Sequence, residues 1–147
     1  MLISTRGRYA LRVLIDLAEH EEDGYTPLKD IAGRQDISQK YMESVMTMLS
    51  KNKLVEGVHG KGGGYRLNRS PEDYSVGEIL RITEGTLAPV VCLERDAQPC
   101  PRAADCRTHP LWDKLNDMIT GYLDSVSLAD LMKKLKQNES RIENMWK

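Results

Sequence analysis

The sequence predicts a mainly helical fold with one small β-hairpin, in the order of a winged helix-turn-helix followed by a long C-terminal helix. Two observations support this prediction. Apolar residues recur at helical spacing in six segments, and the glycine-rich stretch "HGKGGGY" (59–65) separates two short runs that favour β-strand. The length of 147 residues suits one ordinary domain, or a small domain with an appendage.

The first part of the chain is predicted to form three helices. Residues 7–19 place apolar side chains at the i, i+3, i+4, i+7 spacing of one helix face. Thr26 and Pro27 are expected to start the second helix, "LKDIAGRQ", as N-cap and first helical residue. Ser38 is the expected N-cap of the third helix, whose apolar face comprises Met42, Val45, Met46 and Leu49. Together the second and third helices predict a helix-turn-helix over about 28–51.

A β-hairpin is predicted next, over about 55–67, and it is called the wing below. Its strands are expected at Val55–Val58 and Tyr65–Leu67. The glycines between them permit positive φ angles and a close approach of backbone N–H groups to a phosphate. A glycine-rich tip is also an ordinary turn in many hairpins, and this one lacks the spacing of a P-loop.

The second half of the chain is divided by a loop. The residues from Ser75 to Glu78 form a capping box that opens a helix, and Gly85 is placed to end it. Pro110 starts a longer helix to about Leu123, and Ser127 caps a last one that reaches Leu135. The predicted units are therefore a winged helix-turn-helix over 1–84, a loop over 85–109, two helices over 110–135 and a flexible tail over 136–147.

A helix-turn-helix followed by a wing suits DNA. A helix fits the major groove with its N-terminal residues at the base edges, and a wing can reach a minor groove. The candidate side chains are those opposite the apolar face of the third helix, together with two cationic positions in the wing: Ser38, Gln39, Lys40, Tyr41, Glu43, Ser44, His59 and Lys61. The net charge of −1 does not itself indicate nucleic acid. An ordinary fragment of a helical bundle is the alternative.

All three cysteines and one of the three histidines lie in "VCLERDAQPCPRAADCRTH", residues 91–109. Their spacing is C-x7-C-x5-C-x2-H, over Cys92, Cys100, Cys106 and His109. Three thiolates and an imidazole supply four ligands, enough for a [2Fe–2S] centre or for tetrahedral zinc. Zinc sites usually contain a short C-x2–4-C pair, so the long gaps favour a cluster. Ordinary thiols, with His109 as a helix cap beside Pro110, are the alternative.

Composition excludes several other classes of protein. No apolar run approaches the roughly 18 residues of a membrane span, and the N-terminus lacks the pattern of a signal peptide. We therefore expect a cytoplasmic protein, in which cysteines serve as ligands or reactive thiols rather than disulfides. The sequence contains no C-x-x-C pair and no obvious base-bearing pocket, so nothing in it indicates an enzyme.

Three stretches resemble the Rrf2 family of dimeric winged-helix transcription regulators: "STRGRYALRVLIDLA", "LKDIAGRQDISQKYMESVMTMLSKNKLV" and "GGGYRL". The resemblance extends to about Lys134. It implies that the third helix and the wing contact operator DNA and that the helix after the loop forms a homodimer. It adds the wing glycines to the candidate DNA contacts, which are Gly60, Gly62, Gly63 and Gly64. Glu43 matches an acidic residue that tunes operator choice, whereas Ser44 and His59 depart from the usual glutamine and arginine.

A fourth stretch, "CRTHPLWDKLNDMITGYLDSVSLADL", is similar to the iron–sulfur cluster regulators of this family. The similarity implies a [2Fe–2S] cluster held by Cys92, Cys100, Cys106 and His109, supplied by cluster donor proteins. It further implies a regulator, mainly a repressor, of cluster-assembly genes. Relatives that respond to nitric oxide or iron hold [4Fe–4S] clusters with three cysteines. The first gap here is two residues longer than usual, as in the iron-responsive type. A [4Fe–4S] sensor, a zinc-stabilised regulator and a cluster-free regulator of cysteine metabolism are the alternatives.

Overall fold

The computed structural model describes residues 2–133, 141 and 143–146. Its helices and strands are, in chain order, α1 (Thr5–Glu19), α2 (Leu28–Gln35), α3 (Gln39–Lys51), β1 (Val55–Val58), β2 (Gly64–Leu67), α4 (Val76–Glu84), α5 (His109–Ser125) and α6 (Leu128–Lys133). This confirms the predicted fold class, helical with one antiparallel hairpin. The predicted helix residue Leu135 and most of the predicted tail over 136–147 lie outside the described residues.

Helix α1 lies at the centre of the main core. It begins two residues earlier than predicted because Ser4 caps it, the Ser4 Oγ accepting a hydrogen bond from the Gly7 N–H at 3.1 Å. The helix contacts α2, α3, α4, α6 and β2. The fully buried residues of this core include Ala10, Val13, Leu14, Ile31, Met42, Met46, Leu49, Leu54, Ile79 and Leu128. Burial of each large aliphatic side chain contributes about 1.5–3 kcal/mol, so the helix-turn-helix is fixed to α1 by its apolar face.

The predicted cap at Thr26 is wrong. Pro27 occupies the N-cap position of α2, and no side chain caps that helix. The backbone of Thr26 pairs instead with Tyr65 of β2, with N–H···O distances of 2.8 and 2.9 Å in the two directions. The edge strand of a hairpin has unpaired backbone groups, and Thr26 satisfies them. The wing is thereby attached to the start of α2.

The wing forms as predicted, with β2 one residue longer. Its register runs from Val55 opposite Leu67 to Val58 opposite Gly64. At the tip, Gly60 and Gly62 adopt φ angles of 93° and 77°. Residues with a Cβ rarely adopt such angles, so this turn depends on glycine.

Helix α5 packs one face against a second, smaller core and leaves the other exposed. The second core comprises Val76, Leu80, Leu87 and Val126, with Ile119 and Leu123 of α5 against it. On the opposite face, Leu111, Leu115, Met118 and Tyr122 are 58%, 36%, 61% and 64% exposed. No helix in the described residues is both long and apolar enough to cross a membrane.

Candidate nucleic-acid interface and cysteine loop

The N-terminal half of α3 separates its polar and apolar residues cleanly. Ser38 caps the helix as predicted, its Oγ accepting a hydrogen bond from the Tyr41 N–H at 3.2 Å. Met42, Val45 and Met46 are buried against α1 and α2, which turns the other side of the helix outward. All six candidate side chains on that side are exposed, namely Ser38, Gln39, Lys40, Tyr41, Glu43 and Ser44. We call these six residues, together with the wing tip at residues 59–64, the reading surface.

The wing tip presents its two cationizable side chains to solvent. His59, Gly60, Lys61 and Gly62 are exposed, whereas Gly63 and Gly64 are partly buried. A Cβ at Gly64 would clash with the backbone oxygen of Thr26, so the pairing that holds the wing requires glycine here. A cavity of about 290 Å³ lies between the wing, the start of α2 and Ser50 of α3. The wing and the helix-turn-helix therefore share one groove.

A buried carboxylate connects α1 to the end of α2. Asp16 is 3% exposed and accepts hydrogen bonds from both Nε and Nη2 of Arg34, the shorter at 2.6 Å. Gln35 Nε2 donates to the same carboxylate at 2.9 Å. Burial alone raises the pKa of Asp16, but the hydrogen bonds from Arg34 and Gln35 outweigh it and hold the pKa below its ordinary value of 3.8. This network fixes the turn of the helix-turn-helix.

A second network reaches the reading surface, and sequence reasoning did not find it. The Tyr9 ring of α1 meets the Tyr41 ring edge to face, with centroids 5.6 Å apart and planes at 88°. Arg12 lies over the Tyr9 ring, 5.1 Å from its centroid. Arg12 also donates from Nε to Gln35 Oε1 at 3.1 Å and from Nη2 to the Gln35 backbone oxygen. The spacing of Tyr9 and Arg12 on one helix was an available signal, but their partners on α2 and α3 were not.

The cysteine loop, residues 85–109, is open to solvent. Cys92 and Cys100 are exposed, and Cys106 is partly buried. The Cys106 Sγ lies 3.5 Å from the Thr108 Oγ1. This hydrogen bond lowers the pKa of the Cys106 thiol, and backbone hydrogen bonds from Thr108 and His109 and the charge of Arg102 act in the same direction. A lower pKa favours the thiolate, the form that binds iron.

The four predicted ligands share one segment but not one site. His109 is the first residue of α5, one position earlier than the predicted helix start. In the described part of the chain, no three His, Cys, Asp or Glu side chains lie close enough together to hold a metal. The loop has few buried contacts that could draw the thiols together. The cysteine spacing therefore identifies the donors, but the loop does not hold them in a ligating arrangement. The donor types, three thiols and an imidazole, fit an iron–sulfur cluster.

Comparisons with a family model and with known sequences indicate the same family. The model of the Rrf2 family, described as an iron-dependent transcriptional regulator, matches residues 3–134. The HTH-type transcriptional regulator IscR of Photorhabdus laumondii is 39% identical over 132 residues, which are 90% of this chain and 79% of that protein. IscR of Aliivibrio salmonicida is 37% identical over 90% of this chain and 77% of that protein. The predicted resemblance is confirmed.

Solved structures agree in fold. CymR, the global cysteine regulator of B. subtilis, superposes with a TM-score of 0.73 at 35% identity, covering 90% of this chain and 97% of CymR. T. potens IscR superposes with a TM-score of 0.71 at 36% identity, covering 91% and 88%. The family and these relatives are transcription regulators, which confirms that the chain is not an enzyme. This protein belongs to the Rrf2 family of DNA-binding transcription regulators.

Proposed function

We propose that this regulator senses iron–sulfur cluster status and, mainly as a repressor, controls genes of cluster assembly. Its cofactor is a [2Fe–2S] cluster held by Cys92, Cys100, Cys106 and His109. The observation that carries the proposal is the position of these donors, on an exposed loop that leads directly into the first residue of α5. Similarity to the IscR proteins supports it.

The reading surface is proposed to contact the operator. The exposed side of α3 enters the major groove, where Lys40 contacts phosphates and the Glu43 carboxylate accepts hydrogen bonds at the base edges. His59 and Lys61 follow the backbone into the neighbouring minor groove, with the glycines between and after them allowing close approach. A regulator of this kind acts in the compartment that holds the chromosome.

The exposed apolar face of α5 is proposed to bind a second copy of the chain. Leu111, Leu115, Met118 and Tyr122 recur at the spacing of one helix face and are substantially exposed. Such a face is costly to leave in water, and a two-fold pairing of α5 helices would cover it. Two reading surfaces would then address two half-sites of one operator.

Helix α5 also connects the loop to the DNA-binding part of the chain. Asp124, near its end, accepts two hydrogen bonds from Arg81 of α4, at 2.7 and 2.9 Å. Glu84 of α4 in turn accepts hydrogen bonds from the N–H and Oγ of Ser4, the N-cap of α1. Ligation that orders the loop is therefore proposed to shift α5 and, through α4 and α1, the spacing of the two reading surfaces.

Anaerobic purification tests the cofactor, with visible and Mössbauer spectra, iron and sulfide counts, and sedimentation for the dimer. We expect two irons per chain, a [2Fe–2S] spectrum, and an altered spectrum in the His109→Ala variant. The matched control is Arg107→Ala, which changes an exposed side chain of the same loop and keeps all four donors. Zinc without iron would refute the cluster and leave the loop as a structural element.

Two observations favour alternatives. The seven-residue gap between Cys92 and Cys100 favours a [4Fe–4S] cluster, and a [4Fe–4S] spectrum that ignores His109→Ala would establish it. The fold similarity to CymR favours a cluster-free regulator of cysteine metabolism. Colourless protein that binds its operator equally well with and without all three cysteines would establish that second alternative.

A further inference from the structure

We propose that Arg12 and Tyr9 of α1 are positioning residues for Tyr41, and that they hold the N-terminal turn of α3 in the orientation that reads the operator. This inference rests on the proposed contact of the reading surface with DNA. It is independent of the cluster, because none of the three residues lies in the cysteine loop. It assigns a role in operator recognition to α1, a helix that does not itself belong to the reading surface.

The first step is the end of α2. The last carbonyls of a helix have no partner within it, and a cation placed there also complements the helix dipole. Arg12 donates from Nη2 to the backbone oxygen of Gln35, the last residue of α2, and from Nε to the Gln35 side chain at 3.1 Å. The next residue, Asp36, adopts the left-handed conformation with φ of 53°, and α3 begins three residues later. Arg12 thus anchors the turn between the two helices.

The second step is the aromatic pair. Tyr9 is partly buried against the main core, which fixes its ring. Its edge-to-face contact with Tyr41, at 5.6 Å, limits the rotation of a side chain that is otherwise 37% exposed on the reading surface. The Arg12 guanidinium covers the Tyr9 ring at 5.1 Å. One arginine therefore supports both the turn that leads into α3 and the ring that orients Tyr41.

The consequence is preorganisation. Tyr41 and the turn before α3 are both held in place before DNA binds, so they lose less entropy on binding, and we expect the saving to correspond to about threefold to tenfold in affinity. Loss of Arg12 should weaken operator binding by this factor. Binding to a shuffled duplex depends on phosphate charge rather than on a fixed Tyr41, so it should change little.

The competing explanation is that Arg12 contacts a phosphate itself, since its side chain is cationic and exposed. The two roles differ in salt dependence. Each phosphate neutralised adds about 0.9 to the slope of log affinity against log salt, so loss of a direct contact lowers the slope by roughly one. A positioning residue leaves the slope unchanged. The effect of a positioning residue also depends on the side chain that it positions. The losses of binding free energy in Arg12→Ala and Tyr41→Ala should therefore not be additive.

The probe is a duplex that the wild-type chain selects from a random-sequence pool, with a shuffled duplex as reference. Affinities across a salt series are measured for Arg12→Ala, Tyr41→Ala and the double variant. We expect the threefold to tenfold loss for Arg12→Ala to be clearly smaller in the Tyr41→Ala background, where only the support of the turn through Gln35 is left to lose. Arg8→Ala is the matched control, because Arg8 is exposed on the same helix and its side chain hydrogen-bonds within α1 to Thr5.

Arg12→Lys separates positioning from charge alone, and unchanged binding to the shuffled duplex excludes a simple folding defect. It keeps the charge but loses the planar fork that both stacks on Tyr9 and bonds Gln35. Positioning predicts a loss in Arg12→Lys close to that of Arg12→Ala, with the salt slope of the wild type. Wild-type affinity in Arg12→Lys, or an additive cycle with a slope lower by about one, would overturn the proposal. A wild-type chain that selects no duplex would instead refute DNA binding itself.

Discussion

The reading surface and the cysteine loop are built in opposite ways. The apolar face of α3 is buried in the main core, and the turn before the helix is held by Asp16, Arg34 and Gln35. In the cysteine loop, by contrast, Leu87 is the one buried residue between 85 and 109. The donors there share a segment, and no three of them converge.

This difference indicates where the binding energy of each site is used. The protein core has already fixed the reading surface, so the proposed contact with DNA needs little further ordering of the protein. A metal or cluster can fold its own site, because ligand bonds supply free energy that a loop with few buried contacts lacks. We expect substitutions in the supports of the reading surface to change stability, and substitutions in the loop to change cofactor binding without changing stability.

The largest expected effect tests the support of the reading surface. Asp16→Asn removes the charge from a buried carboxylate that accepts hydrogen bonds from Arg34 and Gln35. Breaking a buried pair costs about 3–5 kcal/mol, and we expect about 3 because the Arg34 side chain is 35% exposed. Urea unfolding at neutral pH measures the loss. Glu19→Gln, an exposed position of the same helix, is the control and should stay within about 0.5 kcal/mol of the wild type.

The pH dependence of this pair has a definite sign. The pKa of Asp16 in the folded protein lies below its ordinary value of 3.8, so the unfolded chain takes up the proton first as the pH falls. The stabilisation is complete above that ordinary value and is lost as the pH drops below it through the folded value. The difference between wild type and Asp16→Asn should therefore shrink in acid. A difference that stays constant down to about pH 3 would contradict the role of this carboxylate.

A smaller effect is expected at the attachment of the wing. Gly64→Ala places a Cβ against the backbone oxygen of Thr26, which cannot move away as a flexible side chain would. We expect a loss of about 1–3 kcal/mol in unfolding free energy and weaker operator binding, as the wing shifts to relieve the clash. Gly33→Ala is the matched control. A Cβ there meets nothing within 4 Å, so helix propensity should make it about 0.5–1 kcal/mol stabilising.

The elements that the sequence predicted well depend on local rules. Ser38 and Ser75 cap their helices through contacts three residues away, and Gly85 ends α4, so the signals lie within one helical turn. The role of Thr26 was mispredicted because its backbone partner, Tyr65, is distant in the sequence. Ser4 follows the same local rule as Ser38, and the sequence contained that signal.

The same distinction between local and distant contacts explains which parts of the candidate sites could be predicted. The exposed side of α3 follows from the apolar spacing of Met42, Val45 and Met46, which periodicity reveals. The network that joins Arg12 to Gln35 could not be predicted, since it joins separate helices. Cysteine spacing names the donor set, but the arrangement of the donors in space depends on loop geometry that spacing does not specify.

The smallest effect on stability is expected in the cysteine loop. Cys100 is exposed and makes no described contact with the core, so Cys100→Ser should change the unfolding free energy of the cluster-free protein by less than about 0.5 kcal/mol. The same substitution removes one of the proposed thiolate ligands and should abolish iron retention, which iron analysis and the visible spectrum measure. Ala103→Ser is the matched control, since it adds a hydroxyl to the same exposed loop and keeps every donor.

A Cys100→Ser variant that unfolds more easily without any cofactor would show that the loop supports the fold, and the contrast with the reading surface would fail. If that variant loses iron at unchanged stability, the loop is a site that its ligand organises, and α5 is the element through which the proposed change on ligation would reach the reading surface.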